Sequence, residues 1–347
     1  MTRAADDRID AETARMLLAR LGFSVSDLLE EPTPKPQAPT FAEYLPIVID
    51  AVPAGSLKAY GPYWNKVLTY WGERHIDDIT PSEISALAER VKTTAVRRRN
   101  ARGGNSAAEH LITALRCLYK HAVADEIISQ AANPAAKVAK PRRRPSTRRG
   151  LPDVRLAEVL HVASTTGNDP PLDALLLRLH IETACRRGGA LALRLIDVDE
   201  QQCLLLLREK GETQRWQPVS PTLVAHLVAH AAHRGGDHGE PLLRYANGRP
   251  ITKRRYDYLW GRLGKHLRWV QAQQISMHWL RHTTLTWVER NFGYAVARAF
   301  AGHLSTRDAG TTTTTYVRAS VEEVAVALSA LTNEPHPLAE SSHRGTS

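Results

Sequence analysis

Apolar residues recur at intervals of three and four along most of the chain, a spacing that predicts a protein built mainly from amphipathic helices. The first such segments follow one another between residues 41 and 132. They begin near Phe41, Ser56, Pro81 and Ser106. Two of these starts carry a capping box, in which Thr40 precedes Glu43, and Thr80 precedes Glu83, by three residues. We therefore predict a compact four-helix domain over residues 41–132.

The second of these helices carries an aromatic stripe, formed by Tyr60, Tyr63, Trp64 and Trp71. Such a stripe either packs into the core of its own domain or presents ring faces on which nucleic-acid bases stack. Core packing is sufficient to explain it, and base stacking stays open as the alternative.

Residues 151–333 form a second region of mainly helical pattern. Helical spacing covers 156–164, 171–183, 190–195, 221–233, 253–270, 277–291, 293–301 and 320–332. Apolar runs at 203–208 and 216–219 flank a turn that contains glycine, which predicts a β-hairpin. The expected fold class is therefore α+β, mostly α with a small β-hairpin or sheet.

Three segments lie outside these two regions. Residues 1–40 combine an amphipathic stretch at 11–21 with a proline-rich linker, and we expect them to form an N-terminal arm. Residues 133–150 form a basic interdomain linker. The polar residues 334–347 are expected to be a disordered tail.

The net charge favours a polyanionic partner. The chain has 347 residues, 43% of them apolar, and Lys plus Arg total 46 against 36 Asp plus Glu, a net charge of +10. Nucleic acid is the usual partner of such a protein. Seven cations of the 133–150 linker are candidate DNA contacts, namely Lys137, Lys140, Arg142, Arg143, Arg144, Arg148 and Arg149. We predict that this linker follows the DNA phosphates.

Cysteine usage argues against a metal site or a disulfide framework. Cys117, Cys185 and Cys203 are too widely spaced for either, and this pattern suits a reducing compartment. The sequence has neither the pattern of a signal peptide nor an apolar run long enough to cross a bilayer. We expect a cytoplasmic protein with no metal, no cofactor and no membrane partner.

Candidate chemistry is concentrated in residues 277–316, which contain His278, Arg281, His303 and Tyr316. A zinc hydrolase is excluded, because Trp279 stands where such an enzyme needs its glutamate base. Phosphate chemistry fits better. Arginine and histidine donate charge-assisted hydrogen bonds to an anionic phosphate, and a phenol attacks phosphorus once that charge is neutralised.

Two further cations complete the set upstream, Arg186 in the sequence TACRRGGA and Lys210 in the hairpin turn. In order, spacing and context, these six residues resemble the catalytic residues of the tyrosine recombinases, the phage-integrase family. The resemblance covers residues 41–333 and is strongest over 183–318. It implies a helical, SAM-like core-binding domain at 41–132 and a recombinase catalytic domain at 151–333.

The resemblance also implies a reaction and partners. The two arginines and two histidines would surround a phosphate of double-stranded DNA, the tyrosine would form a 3′-phosphotyrosine, and the lysine would protonate the departing 5′-hydroxyl. The expected function is site-specific recombination, as the integrase of a mobile element, by a homotetramer on two DNA sites. The apolar face of residues 321–331 either docks on a neighbouring subunit or packs on its own domain.

Two departures from the family pattern affect this interpretation. Gly189 stands where the family has Glu or Asp, so another group must hold Arg186, and the interval from His303 to Tyr316 is longer than usual. Two alternatives to the recombinase remain open. One is an enzyme similar to type IB topoisomerases, and the other is a catalytically inactive DNA-binding regulator, which Gly189 favours.

Overall fold

The computed structural model describes residues 37–95, 104–142, 149–209, 213–302 and 319–341, together with Thr13, 16–18 and Arg20. These N-terminal residues are helical, and the rest of the stretch 11–21 lies outside the described residues. The chain divides into two compact units, residues 1–144 and residues 145–347.

The first unit is helical, as its periodicity predicts. Its helices are α1 (Phe41–Ala51), α2 (Ala54–Trp71), α3 (Pro81–Thr94) and α4 (Asn105–Ala124), followed by a 3-10 turn at Gln130–Ala132. Both predicted capping boxes are confirmed, since the side chains of Thr40 and Thr80 each accept a hydrogen bond from a glutamate N–H and each glutamate bonds back.

The aromatic stripe of α2 contributes to the core of the first unit. Trp64 is fully buried and donates its indole N–H to the Ala114 carbonyl at 3.0 Å. Trp71 is buried beside it, and Tyr60 and Tyr63 pack against the same core. Burial on this scale accounts for the stripe without base stacking.

The predicted linker 133–150 is corrected at its first half. Ala135 and Val138 are buried in the core of the first unit, and Arg116 donates to their two carbonyls at 3.2 and 2.8 Å. The apolar residues within the basic run therefore attach it to α4. Lys137 and Lys140 stay exposed.

The second unit contains the remaining elements. The first are α5 (Asp153–Thr165), α6 (Pro170–Thr183), α7 (Arg187–Leu191), β1 (Val198–Asp199), β2 (Leu204–Arg208) and β3 (Gln214–Pro218). They are followed by α8 (Pro221–Arg234), α9 (Lys253–His266), α10 (Arg268–Gln273), α11 (Met277–Phe300), α12 (Val321–Thr332) and α13 (Pro337–Ser341).

The predicted hairpin is confirmed and belongs to a three-stranded antiparallel sheet of order β1-β2-β3. In the hairpin Leu206 pairs with Trp216, and the Glu209 N–H reaches the Thr213 carbonyl at 2.9 Å. Strand β1 was not predicted from the sequence, because two residues are too short to show an alternating pattern.

Helix α9 is fixed to α6 by a buried ionic cluster. Asp173 on α6 is fully buried and accepts hydrogen bonds from Arg255 at 2.7 Å and Arg262 at 2.6 Å. Two cations satisfy one carboxylate, so its burial is compensated. The cluster sets the position of α9, whose Tyr256 and Trp260 line the cleft described below.

Two helix boundaries differ from the predicted ones. The predicted helix 253–270 is broken at Leu267 into α9 and α10. The two predicted helices 277–291 and 293–301 are joined as α11 with a kink at Gly293, which has φ 84°. Glycine adopts this left-handed conformation without the steric cost of a side chain.

Helix α12 packs on its own unit. Val324 and Leu328 are buried against Val288 and Phe300 of α11. Of the two arrangements considered for residues 321–331, the structure therefore shows packing on their own domain. None of the helices in the described ranges is both long enough and apolar enough to span a membrane.

The expectation of a disordered tail from residue 334 onward is wrong for residues 334–341. Glu334 accepts hydrogen bonds from the Thr222 hydroxyl at 2.6 Å and from Arg178 at 2.9 Å. His336 is 1% exposed, and its ring donates to the Cys203 carbonyl at 3.1 Å. Polar residues taken as solvated thus find partners on the second unit.

Candidate active site

Three of the six predicted site residues line one cleft in the second unit. The cleft has a volume of about 350 Å³ and is bordered by α7, α9 and the beginning of α11. The predicted residues in its wall are Arg186, His278 and Arg281. Arg186 is distant in sequence from His278 and Arg281, so the fold brings together the two arginines and one histidine required for phosphate chemistry.

A sharp turn after α6 presents Arg186. Helix α6 ends at Thr183, and Ala184 adopts a left-handed conformation with φ 48°. Arg186 then returns to extended backbone as the residue that precedes α7. This reversal places Arg186 at the beginning of a helix with its side chain partly exposed.

His180 supports this turn from beneath. It is fully buried, and its Nδ1 donates to the Cys185 carbonyl at 3.1 Å while the Tyr256 hydroxyl donates to Nε2 at 3.1 Å. Burial lowers the pKa of His180 to about 4. The ring is therefore neutral at neutral pH and holds the backbone next to Arg186 by hydrogen bonding rather than by charge.

The carboxylate of Glu209 binds Arg186 twice. Its Oε1 accepts the Arg186 backbone N–H at 2.6 Å, and its Oε2 accepts from the guanidinium at 2.8 Å. The Glu209 side chain is 2% exposed and that of Arg186 is 41% exposed. One end of the pair is thus fixed inside the protein, whereas the guanidinium reaches the cleft.

Arg281 is held by backbone carbonyls. Its guanidinium donates to the Ala184 carbonyl and, at 2.8 Å, to the Ala301 carbonyl. Arg281 therefore connects the turn at residues 184–186, which carries Arg186, to the end of α11. Burial, followed by the positive charge of Arg186, lowers the pKa of Arg281 from its ordinary value. Two cations therefore lie close enough to repel one another, a condition that an anion in the cleft would relieve.

His278 stands at the beginning of α11 and is exposed to solvent. Its ring lies 6.4 Å from that of His282, centroid to centroid. Ser276 and Met277 line the cleft beside it, so the positive end of the α11 dipole faces the same space. Trp279 is buried, and the described residues contain no group of three His, Cys, Asp or Glu placed to hold a metal.

The neighbouring Arg187 has a different environment from Arg186. Its guanidinium lies 3.7 Å from the Asp257 carboxylate and 6.0 Å from the centre of the Tyr256 ring. Of these two neighbours, Arg186 is the one that contacts the buried Glu209 carboxylate. This contact favours Arg186 over Arg187 as the first arginine of the site.

A third arginine, Arg215 on β3, lies beneath the site and was missed from the sequence. It donates to the Thr183 carbonyl at 3.1 Å, and burial lowers its pKa to about 10. A Cβ atom at Gly302, which has φ 66°, would lie 2.5 Å from the Arg215 Nε. Only glycine fits there. Arg215 pairs across the hairpin with the buried Leu207, a signal that becomes readable only once the register is known.

The remaining predicted residues lie outside the described ones. At the site they are Lys210, His303 and Tyr316, and in the linker they are Arg143, Arg144 and Arg148. Lys210 directly follows Glu209, which contacts Arg186. His303 directly follows Gly302, which lies against the Arg215 side chain. In the linker, Arg142 and Arg149 are described and exposed.

Comparison with known proteins shows which family the chain resembles. The phage integrase family matches residues 154–323. Tyrosine recombinase XerD of Mycobacterium leprae (strain TN) is 27% identical over 307 residues, which cover 81% of this chain and 92% of XerD. Over residues 154–323 the chain belongs to the phage integrase family of tyrosine recombinases. It is thus an enzyme, a site-specific recombinase.

Solved structures of integrases have the same fold as this recombinase. Lambda integrase, in a tetramer bound to a Holliday junction, aligns with a TM-score of 0.61 at 16% identity, covering 86% of this chain and 88% of that one. The Tn1549 transposon integrase, in complex with circular intermediate DNA, aligns with a TM-score of 0.61 at 16% identity, covering 82% and 97%. The predicted fold class is confirmed.

Proposed function

We propose that this recombinase cleaves and rejoins double-stranded DNA through a 3′-phosphotyrosine formed by Tyr316. The observation that carries the proposal is the cleft in which Arg186, Arg281 and His278 meet at the beginning of α11. Cations and a helix N-terminus around one space favour a phosphate group.

The arginines stabilise the transition state. Attack on a phosphodiester gathers negative charge on the non-bridging oxygens, and fixed donors aimed at them lower the barrier without reorganisation. Arg281 is fixed by two carbonyls, and Arg186 by one carboxylate. A guanidinium has five N–H donors in a planar fork, so one arginine can bind its protein partner and a phosphate at the same time. This charge does the work that magnesium does in other phosphoryl transfers.

The covalent steps balance without an external energy source. The Tyr316 oxygen forms a bond to phosphorus as the 5′-oxygen leaves, and the histidines help to accept the phenolic proton, whose pKa is ordinarily about 10. Lys210 gives a proton to the 5′-oxygen. The phosphotyrosine preserves the bond, so a 5′-hydroxyl of another strand attacks it and releases Tyr316.

The proposed partners are duplex DNA and further copies of the chain. The net charge of +10 and the exposed cations of the linker support DNA binding. A homotetramer on two DNA sites is proposed because the similar lambda integrase is a tetramer on a Holliday junction. The integrase role in a mobile element is proposed on the likeness to lambda and Tn1549 integrases.

Trapping of the covalent intermediate tests the proposal. Duplexes tiled across the DNA that flanks the gene, each nicked so that the cleaved end diffuses away, are incubated with the full chain. We expect a protein–DNA adduct at one sequence only. Adducts at arbitrary sequences, with relaxation of any supercoiled plasmid, would instead indicate a topoisomerase. DNA binding without an adduct would indicate the inactive regulator.

A further inference from the structure

The buried carboxylate of Glu209 connects the turn at residues 184–186, which carries Arg186, to the hairpin. Glu209 binds both the backbone and the guanidinium of Arg186, and its own N–H donates to the Thr213 carbonyl at 2.9 Å. Glu209 therefore pairs with Thr213 at the end of the described part of the hairpin. Any movement of this end of the hairpin acts directly on Arg186.

The contact takes the place of a helix-capping interaction that α7 cannot make within itself. Arg186 is the N-cap of α7 and Gly189 its third residue. In a capping box, a carboxylate at the third position returns to the N–H of the N-cap residue. Gly189 has no side chain to do this, and the Arg186 N–H is taken by Glu209 instead.

Space as well as hydrogen bonding links Gly189 to Glu209. A Cβ atom at Gly189 would lie 3.2 Å from the Glu209 Cγ and 3.5 Å from its Oε1. The 3.2 Å separation from Cγ is tighter than ordinary van der Waals contact, so even alanine would require the Glu209 side chain to shift by a few tenths of an ångström. The missing side chain at position 189 therefore leaves the space that the Glu209 side chain occupies.

We propose that Glu209 is the positioning residue for Arg186, and that it supplies from the hairpin the carboxylate that α7 lacks. The proposal rests on the proposed function for its catalytic consequence and on the contacts above for its geometry. Because the carboxylate is on the hairpin, Arg186 is held in place only while the hairpin is docked. The departure at Gly189 is then a relocation of the carboxylate, and the site stays complete.

The test is an exchange of the carboxylate between the two positions. The variants are Glu209→Ala, Gly189→Glu and the double variant Gly189→Glu/Glu209→Ala, with Glu200→Ala as a control that removes an exposed carboxylate of the same unit. Adduct formation is timed at saturating concentration of the nicked duplex that traps the wild-type chain.

We expect Glu209→Ala to slow adduct formation about 10- to 100-fold, the range for removal of a hydrogen bond to a charged group, with the Kd for DNA unchanged. Gly189→Glu alone is also slow, because its carboxylate crowds Glu209. The double variant recovers most of the rate, and Glu200→Ala matches wild type. A wild-type rate in Glu209→Ala, or a double variant no faster than Glu209→Ala, would overturn the proposal.

A measurement without DNA separates this inference from the proposed function. Removal of the Oε1 hydrogen bond frees the Arg186 amide, so hydrogen exchange in the peptide spanning 184–190 should accelerate in Glu209→Ala and slow again in the double variant. If wild type forms no adduct, the proposed function fails while this exchange still decides the role of Glu209. Unchanged exchange in Glu209→Ala refutes that role.

A second substrate distinguishes Arg186 from Lys210 as the group through which Glu209 acts. Sulfur in place of the 5′-bridging oxygen leaves without needing a proton, so it rescues the loss of a general acid. We expect it to restore cleavage by Lys210→Ala and to leave Glu209→Ala slow. Full restoration of Glu209→Ala would contradict positioning through Arg186.

Discussion

The two arginines of the cleft are held in different ways. Arg281 is buried and bound to backbone carbonyls, which neutralise none of its charge. Arg186 is half exposed and bound to the carboxylate of Glu209. An anionic phosphate in the cleft would therefore meet a rigidly held donor in Arg281 and a more adjustable one in Arg186.

His180 gives the second unit a dependence on pH. Its folded-state pKa is about 4, below the unfolded value near 6.5, so the unfolded chain binds a proton that the folded one does not. The stabilising contribution of the neutral ring is thus complete above about pH 6.5 and is lost as pH falls toward 4. We expect about 3 kcal/mol of unfolding free energy to disappear over that window from this ring alone.

Urea denaturation between pH 7.5 and pH 4.5 measures this loss. His180→Gln removes the titrating group, and its unfolding free energy should fall less steeply with acid than that of wild type. His161→Gln, at an exposed position, is the matched control and should keep the wild-type slope. Equal slopes for all three proteins would show that His180 is not the group responsible.

At the scale of elements, the C-terminal segment after α12 extends the fold of the second unit. Glu334 closes on α8 through Thr222, and His336 inserts beside Cys203 near the sheet. These contacts fasten α12 at its far end, while Leu328 fastens its middle to α11.

Truncation tests this role of the tail. A chain ending at residue 333 lacks the hydrogen bonds of Glu334 and His336, which we expect to cost about 1–3 kcal/mol and lower Tm by about 2–10 °C. A chain ending at residue 341 keeps both and should melt with wild type. Equal Tm values for the two truncated chains would mean that the tail contributes no stability through these residues.

Local patterns predicted the elements far better than the contacts between them. Helix starts at Thr40 and Thr80 were readable because capping is local in sequence, and the hairpin was readable from its two apolar runs. The attachment of Val138 to α4 and the partners of His336 depend on residues distant in sequence, so periodicity gave no sign of them.

The candidate site shows the same division. Motif spacing selected Arg186, His278 and Arg281, which the fold does bring to one cleft. Glu209 and Arg215 were missed because their chemistry follows from strand register and from space left by glycines. Gly189 was interpreted as the loss of a carboxylate, because the Glu209 carboxylate that binds Arg186 instead comes from the hairpin.

At the scale of the whole molecule, charge governs the proposed association with DNA. Exposed cations of the linker, Lys140, Arg142 and Arg149, are available for phosphates. Neutralising these three to Gln should reduce the slope of log K against log salt by about 0.9 for each phosphate that is no longer neutralised, measured by fluorescence anisotropy across a salt series.

The control for this series exchanges lysine and arginine at the same positions. Lys140→Arg, Arg142→Lys and Arg149→Lys together keep the charge, so the salt slope should stay that of wild type because counterion release depends on charge. If the Gln variant also keeps the wild-type slope, the linker does not contact DNA phosphates.

The central claim is that Tyr316 displaces a 5′-oxygen of DNA inside the cleft of Arg186 and Arg281. Its most direct test is mass spectrometry of the peptide that remains bound to the trapped nicked duplex after proteolysis. We predict a 3′-phosphate attached to Tyr316, abolition of the adduct by Tyr316→Phe with DNA binding retained, and full adduct in Tyr294→Phe, an exposed tyrosine of α11. An adduct on any other residue, or one that persists in Tyr316→Phe, would contradict the account.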